Sequence, residues 1–269
     1  MSEYNVCAQY REGRRAMKAL EYAVDLAGRL DAAALHVYLP RHVGVKPPPT
    51  TSFSAREMQL DRVAERVRSI FAGTIVVHDD VDLEQATMQQ LPPVAIVVSR
   101  ELAQRRTDLH IVQPFEEESV VRGGGGILVP FGDGESGIIA AAEALPLAAQ
   151  LKSDVIFYHT TWRSPHVSST NPLDHLCGDA KRHFDELTAM AQTYGVRSHM
   201  EIEMADDVVV GMLRCAANGA VASHNPKPAD LIVMTHGVNT CFGSYVEKAL
   251  QKSATPVLVI ASARRGGER

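Results

Sequence analysis

Short runs of aliphatic and β-branched residues, each followed by a helical pattern, recur along this chain in one order, twice. The second half carries the sharper copy. Ile127-Leu128-Val129-Pro130-Phe131 reads as a buried strand, and after a Gly/Asp turn an Ala- and Leu-rich helix runs to about Lys152. Asp154 to His159 is the next strand, followed by an amphipathic helix from roughly Asp174 to Tyr194 with Gly195 as its C-cap. Strand His199 to Met204, helix Asp207 to Ala217, strand Leu231 to Thr235, helix Ser244 to Lys252 and strand Val257 to Ile260 complete it. Strands alternating with helices need crossover connections, so the pattern predicts βαβ units and a parallel α/β sheet.

The first half repeats this order. Leu26-Ala27-Gly28-Arg29-Leu30 aligns with Leu147-Ala148-Ala149-Gln150-Leu151 at an offset of 121 residues, and at the same offset Ala34 to Tyr38 faces Val155 to His159. Further strands are expected at Asn5 to Tyr10, Thr74 to His78, Val94 to Val98 and Leu109 to Val112, with a helix from about Ala55 to Phe71. A tandem duplication of one five-strand parallel α/β domain accounts for the repeat. The acidic and Gly-rich stretch from Glu116 to Gly126 cannot bury apolar surface, so the boundary is expected there: one domain over 1–117, a linker over 118–126, a second domain over 127–269.

Composition narrows the classes of function. No run of about 18 apolar residues exists to span a bilayer. The start of the chain has no apolar core of a secretory signal, and Cys7, Cys177, Cys215 and Cys241 are widely spaced, which predicts a reduced, cytoplasmic protein. Residues 1–115 carry 14 basic and 14 acidic side chains, so the net charge of -5 belongs to the rest. Neither half has the basic face that nucleic acid or an anionic membrane would need, and a bound anion must rely on local donors.

Ligands of open α/β sheets sit beyond the carboxyl ends of the strands, where the strand order switches. Two such segments stand out. Gly132-Asp133-Gly134-Glu135-Ser136-Gly137 has the G-x-G-x-x-G spacing of a dinucleotide turn, but the second strand ends Tyr158-His159-Thr160 without the acid that would hold a ribose. The other segment runs Thr235-His236-Gly237 to Gly243-Ser244 before a helix. Its glycines could let main-chain amides approach an anion, while Ser244-Tyr245-Val246-Glu247 also reads as a capping box needing no ligand. His175, Asp179 and His183, with Cys177 nearby, are spaced along one helix face, although three ligands over two turns span about 12 Å, too far for one ion. Trp162 and Arg163, past the second strand, could stack on or clamp a ligand, or simply pack. No G-x-S-x-G elbow, P-loop or H-E-x-x-H is present.

The run from Ala229-Asp230-Leu231-Ile232-Val233-Met234 to Gly243-Ser244, with Val246-Glu247-Lys248-Ala249-Leu250 and Pro256 to Ile260, resembles the universal stress protein family. So does Ile127-Leu128-Val129-Pro130 with its Gly/Asp turn and Ala144 to Ala148. Domain one resembles it in element order and first helix. The resemblance implies two tandem Rossmann-like, five-strand parallel domains and an adenine nucleotide, ATP or AMP, as ligand. It places candidate ligand-binding residues at Pro130, Gly132, Asp133, Thr160, Thr235, His236, Gly237, Gly243 and Ser244. The family signature is Gly, two residues, Gly, nine residues, Gly, then Ser or Thr. Here its first Gly falls on Met234, the second on Gly237, and the nine-residue spacer is five, Val238 to Phe242. The family's acidic residue after the first strand falls on Gly132, with Asp133 one place on. No glycine occurs from Thr74 through Arg122, so domain one lacks such a cradle and is expected to serve as a structural partner.

The function expected is that of a cytoplasmic stress-response binding or regulatory protein with no assigned catalytic or metal-binding residue. It would hold a nucleotide or other small anion in domain two. Its domains would pair within the chain, and a homodimer of the whole chain is a further assembly it could form. The alternatives are a nucleotide- or dinucleotide-dependent enzyme using Gly132 to Gly137, and a ligand-free interaction protein.

Overall fold

The structure, a computed structural model, describes residues 4–10, 14–39, 65, 67–69, 71–79, 81–89, 91–92, 94–103, 110–114, 125–132, 134–161, 179–205, 207–220, 227–235 and 240–260. Its described residues form two compact units, one ending at Ser99 and the other starting at Arg100.

The first unit contains β1 (Asn5–Gln9), α1 (Arg14–Arg29), β2 (Ala34–Leu39), β3 (Thr74–Asp79), α2 (Leu83–Gln89) and β4 (Ala95–Val98). Its strands lie in the order β3-β2-β1-β4, all parallel, with Val6 opposite Leu35 and Ile96. The second contains α3 (Arg100–Ala103), β5 (His110–Gln113), β6 (Gly126–Pro130), α4 (Ser136–Leu151), β7 (Asp154–Thr161), α5 (Asp179–Thr193), β8 (Ser198–Met204), α6 (Val208–Asn218), β9 (Leu231–Thr235), α7 (Thr240–Lys252) and β10 (Val257–Ile260). Its order β8-β7-β6-β9-β10 repeats the first unit's order and adds a further strand. Val6, Val97, Ile127, Leu128, Val129, Ile232 and Val233 are fully buried. Each buried aliphatic side chain stabilises its sheet by about 1.5–3 kcal/mol.

The repeat is visible in backbone detail. Helix α1 ends with Asp31 in the left-handed region, where Asp31 N–H bonds Gly28 O at 3.2 Å and Ala32 N–H bonds Ala27 O at 2.9 Å. Helix α4 ends the same way at Lys152, whose N–H bonds Ala149 O at 3.3 Å while Ser153 N–H bonds Ala148 O at 2.9 Å. This is the Schellman closure, which satisfies the last carbonyls of a helix. Helix α5 closes likewise through Gly195, at φ 65°, with Val196 N–H on Ala191 O. The start of α6 is capped by Asp207, whose carboxylate accepts from Val209 and Val210 N–H and is held below the usual carboxylate range chiefly by the Val210 bond.

Two findings depart from the expected pattern. Strand β5, together with α3, belongs to the second unit and runs antiparallel to β10, with Val112 opposite Leu258. Gln113 is buried there and donates to Leu250 O at 2.6 Å. Helix α7 begins at Thr240, one turn before the expected start at Ser244. Of the expected linker, Gly125 and Gly126 are described. Gly125 donates to Asp230 Oδ2, and a Cβ on it would stand 2.2 Å from Pro228 O, so the end of that glycine run is fixed by close packing. The helix expected at Ala55 to Phe71 lies largely outside the described residues.

Candidate functional site

Strand β6 lies between β7 and β9, and it is where the order of the second unit switches direction. The chain leaves the carboxyl end of β6 through Phe131 and Gly132 and enters α4 at Ser136. Phe131 N–H continues the ladder to Tyr158 O at 2.9 Å. Two imidazoles then hold the turn. His159 Nδ1 donates to Phe131 O and His183 Nδ1 donates to Gly132 O, each at 2.9 Å. A carbonyl only accepts, so both rings carry their proton on Nδ1 when neutral and keep a lone pair on Nε2. Both histidines are buried, and the Phe131 ring lies 4.9 Å from that of His159, tilted by 32°.

Gly137, in the first turn of α4, packs against the same turn, since a Cβ there would stand 2.4 Å from Phe131 Cβ and 2.7 Å from its Cα. Close helix–strand packing is the role of the third glycine in a G-x-G-x-x-G turn. Glu135, at the N-cap of α4, makes no side-chain cap. Buried Thr235, ending β9, points its hydroxyl at Ser136 O over 3.4 Å. The end of β9 and the start of α4 therefore meet beside the anchored turn, and a helix start of this kind attracts anions.

The expected site residues divide accordingly. Pro130 and Gly132, both half-buried, and Thr235 come together at the ends of β6 and β9. Thr160 follows the strand alternation to the other face from His159. There its hydroxyl bonds Tyr158 Oη at 3.1 Å, and Tyr158 donates to Glu203 Oε2 at 3.0 Å. Glu203 also pairs with Arg214, and α6 presses so close that a Cβ on Gly211 would reach Tyr158 Oη at 2.2 Å. Burial raises the Tyr158 phenol above its usual range, keeping it a donor. Met234, at the signature's first glycine position, is a buried core residue of β9. Gly243 and Ser244 lie inside α7, and Ser244, its fifth residue, falls past the four unpaired amides of a helix start. The capping-box reading is thereby corrected, because a box caps only where the preceding residues are non-helical. Asp133, His236, Gly237, Trp162, Arg163, His175 and Cys177 lie outside the described residues.

Sequence reasoning missed the two histidines as anchors. One signal existed: His183 stands in the buried stripe Ala180, His183, Leu187, Ala191, a polar residue on the apolar face of α5 that must find a partner. Among the described residues no three His, Cys, Asp or Glu side chains gather as a metal centre. Nor is any described helix long and apolar enough to cross a membrane.

Over 95% of its length the chain matches the crystal structure of a universal stress protein from Archaeoglobus fulgidus DSM 4304, covering 97% of that chain at 14% identity with a TM-score of 0.61. The chain has the universal stress protein fold. The strand order repeated in its two units makes it a tandem form of that fold. Shorter structures match about half of it. A universal stress family protein from Burkholderia pseudomallei is 22% identical over 51% of this chain and 95% of its own, with a TM-score of 0.36. A universal stress protein solved in complex with cAMP is 18% identical over 52% of this chain and 100% of its own, with a TM-score of 0.38. No family model and no curated protein matches the sequence.

Proposed function

We propose that this chain is a cytoplasmic stress-response module that binds a small anionic ligand, an adenine nucleotide by class, in its second unit, and acts by binding rather than by catalysis. The observation that carries the reading is the junction of β9 with α4. There Thr235 meets the start of α4, at the switch in strand order, beside a turn whose carbonyls accept from His159 and His183.

The sequence of this segment supports a small anion over a triphosphate. Met234 fills the place of a glycine, and the spacer before Gly243 is four residues short of the family spacing, with Thr240 to Phe242 already in α7. Losing two or three hydrogen bonds to a charged oxygen costs about 1.5–3 kcal/mol each, and about 1.4 kcal/mol is a tenfold change in affinity. AMP should therefore bind at least as tightly as ATP. The dinucleotide-enzyme reading has the close packing of Gly137 in its favour, but β7 ends in Thr160-Thr161, with no carboxylate for a ribose.

Calorimetric titration of AMP, ATP and inorganic phosphate into wild type and Thr235→Val tests the proposal. Saturable AMP binding that weakens about tenfold in the variant supports it. Micromolar ATP binding tighter than AMP would sink the triphosphate argument. Binding unchanged by Thr235→Val would move the site elsewhere, and no binding of any of the three would favour the ligand-free interaction protein.

A further inference from the structure

The first unit gathers four titratable side chains on one face of its sheet. In the strand register Cys7 lies opposite His36 and Tyr38 opposite His78, and directly paired residues project to the same side. His36 Nδ1 and His78 Nε2 stand 2.9 Å apart. Their ring planes differ by 15° and their centroids are 5.2 Å apart. That separation equals the nitrogen–nitrogen gap plus one ring radius on each side. The rings therefore meet edge to edge, with both nitrogens between them, and do not overlap face to face. Tyr38 does stack on His78, at 4.3 Å and 8°, which fixes the plane of that ring. The Tyr38 hydroxyl is engaged with the Cys7 thiol.

A neutral imidazole pair in this position shares one N–H···N hydrogen bond, one ring giving the proton and the other a lone pair. Burial holds both histidines below their ordinary range, and the charge of His78 lowers His36 further, so lone pairs are present at neutral pH. Both rings are half-buried, and among the described residues β3 pairs with β2 in the first unit's sheet. Two nitrogens on one tetrahedral ion, each at about 2.0–2.1 Å, stand roughly 3.3 Å apart. A small side-chain adjustment opens the observed gap to that value.

We propose that His36 and His78 form a two-imidazole chelate for a late first-row divalent cation, Zn2+, Ni2+ or Cu2+. The ion replaces the N–H···N hydrogen bond, seated to one side of the line between the two nitrogens as the rings tilt toward it, and the bridging proton moves to the outer nitrogen of its own ring, so no net proton is released. Water fills the remaining coordination positions. The proposed chelate is the imidazole pair, and the Cys7 thiol is engaged with the Tyr38 hydroxyl. With two protein ligands instead of four the site is exchangeable, unlike a structural zinc, and Cu2+ binds more tightly than Zn2+. The site stands independently of any nucleotide in the second unit.

Zn2+ titration of the full chain, followed by the 1H–15N signals of the histidine rings, tests it. The His36 and His78 signals should shift together in one saturable step. In calorimetry, His36→Gln and His78→Gln should each weaken that step at least tenfold, while unchanged circular dichroism reports an intact fold. Ring signals of His36 and His78 that stay in place at saturating Zn2+ would overturn the proposal, as would equal affinity in the double variant. If the Gln variants do not fold, the wild-type ring signals decide alone.

Discussion

Asp31 and Lys152 stand 121 residues apart and share one left-handed backbone conformation, at φ 46° and 53°, each closing the first long helix of its unit. Neither is glycine, although that conformation costs a residue with a Cβ roughly 1–2 kcal/mol. Replacing either by Gly should relieve the strain, offset by the greater freedom of Gly in the unfolded chain. Lys152→Gly should gain up to about 1 kcal/mol, and Asp31→Gly less, because Asp tolerates this region better. Urea unfolding midpoints check this; a loss of stability in Lys152→Gly would show the closure to be held by its side chain.

Gly137→Ala places a methyl group against Phe131 Cβ and Cα, at 2.4 and 2.7 Å before relaxation. Backbone cannot swing away as a side chain can, so the cost should be about 1–3 kcal/mol. The displaced turn should also weaken any AMP binding. Chemical denaturation and calorimetry of the same variant report the two effects separately.

Ser244→Ala tests the position of Ser244 inside α7. A capping serine would cost about 0.5–2 kcal/mol on removal, whereas a helix-interior serine gains helix propensity on becoming alanine. Thermal unfolding should show a midpoint unchanged or slightly raised. A drop of several degrees would return Ser244 to the helix start.

The first unit's histidines make stability depend on pH. Both are held below the unfolded value of about 6.5, His36 by burial and then by the charge of His78, His78 by burial. Between the folded and unfolded values the unfolded chain binds more protons, so stability rises with pH. Their contribution is complete above about pH 6.5 and is lost as the pH falls through the folded values. Cys7, pushed up to about 12, and Tyr38, also raised, titrate far above this window. Urea midpoints at pH 7.5 and 5 should differ more in wild type than in the His36→Gln/His78→Gln variant.

Burial pushes the Cys7 and Cys215 thiols up to about 12, with a nearby Glu201 charge adding to the effect at Cys215. The thiolate is the reactive form, so iodoacetamide at pH 8 should leave both unlabelled in the native protein and modify them in urea. Peptide mass spectrometry reads the result, and native labelling of Cys7 would mean the first sheet opens readily.

Local chemistry made most of the elements legible in the chain alone. Strands β9 and β10 lie where their aliphatic runs do, and the end of α5 follows from Gly195, because burial preference and left-handed backbone act within a few residues. The repeat at an offset of 121 residues was equally local, and the shared closures at Asp31 and Lys152 bear it out. Partners distant in the chain were another matter. That β5 runs antiparallel along β10 depends on which edges meet in the fold, and a short run such as His110–Gln113 carries no mark of direction. The histidine anchors are of the same kind. His159 and His183 meet carbonyls 28 and 51 positions back along the chain, so their role arises when β6, β7 and α5 converge. Propensity and periodicity are properties of neighbours in sequence, while a buried donor's partner is a property of the folded core.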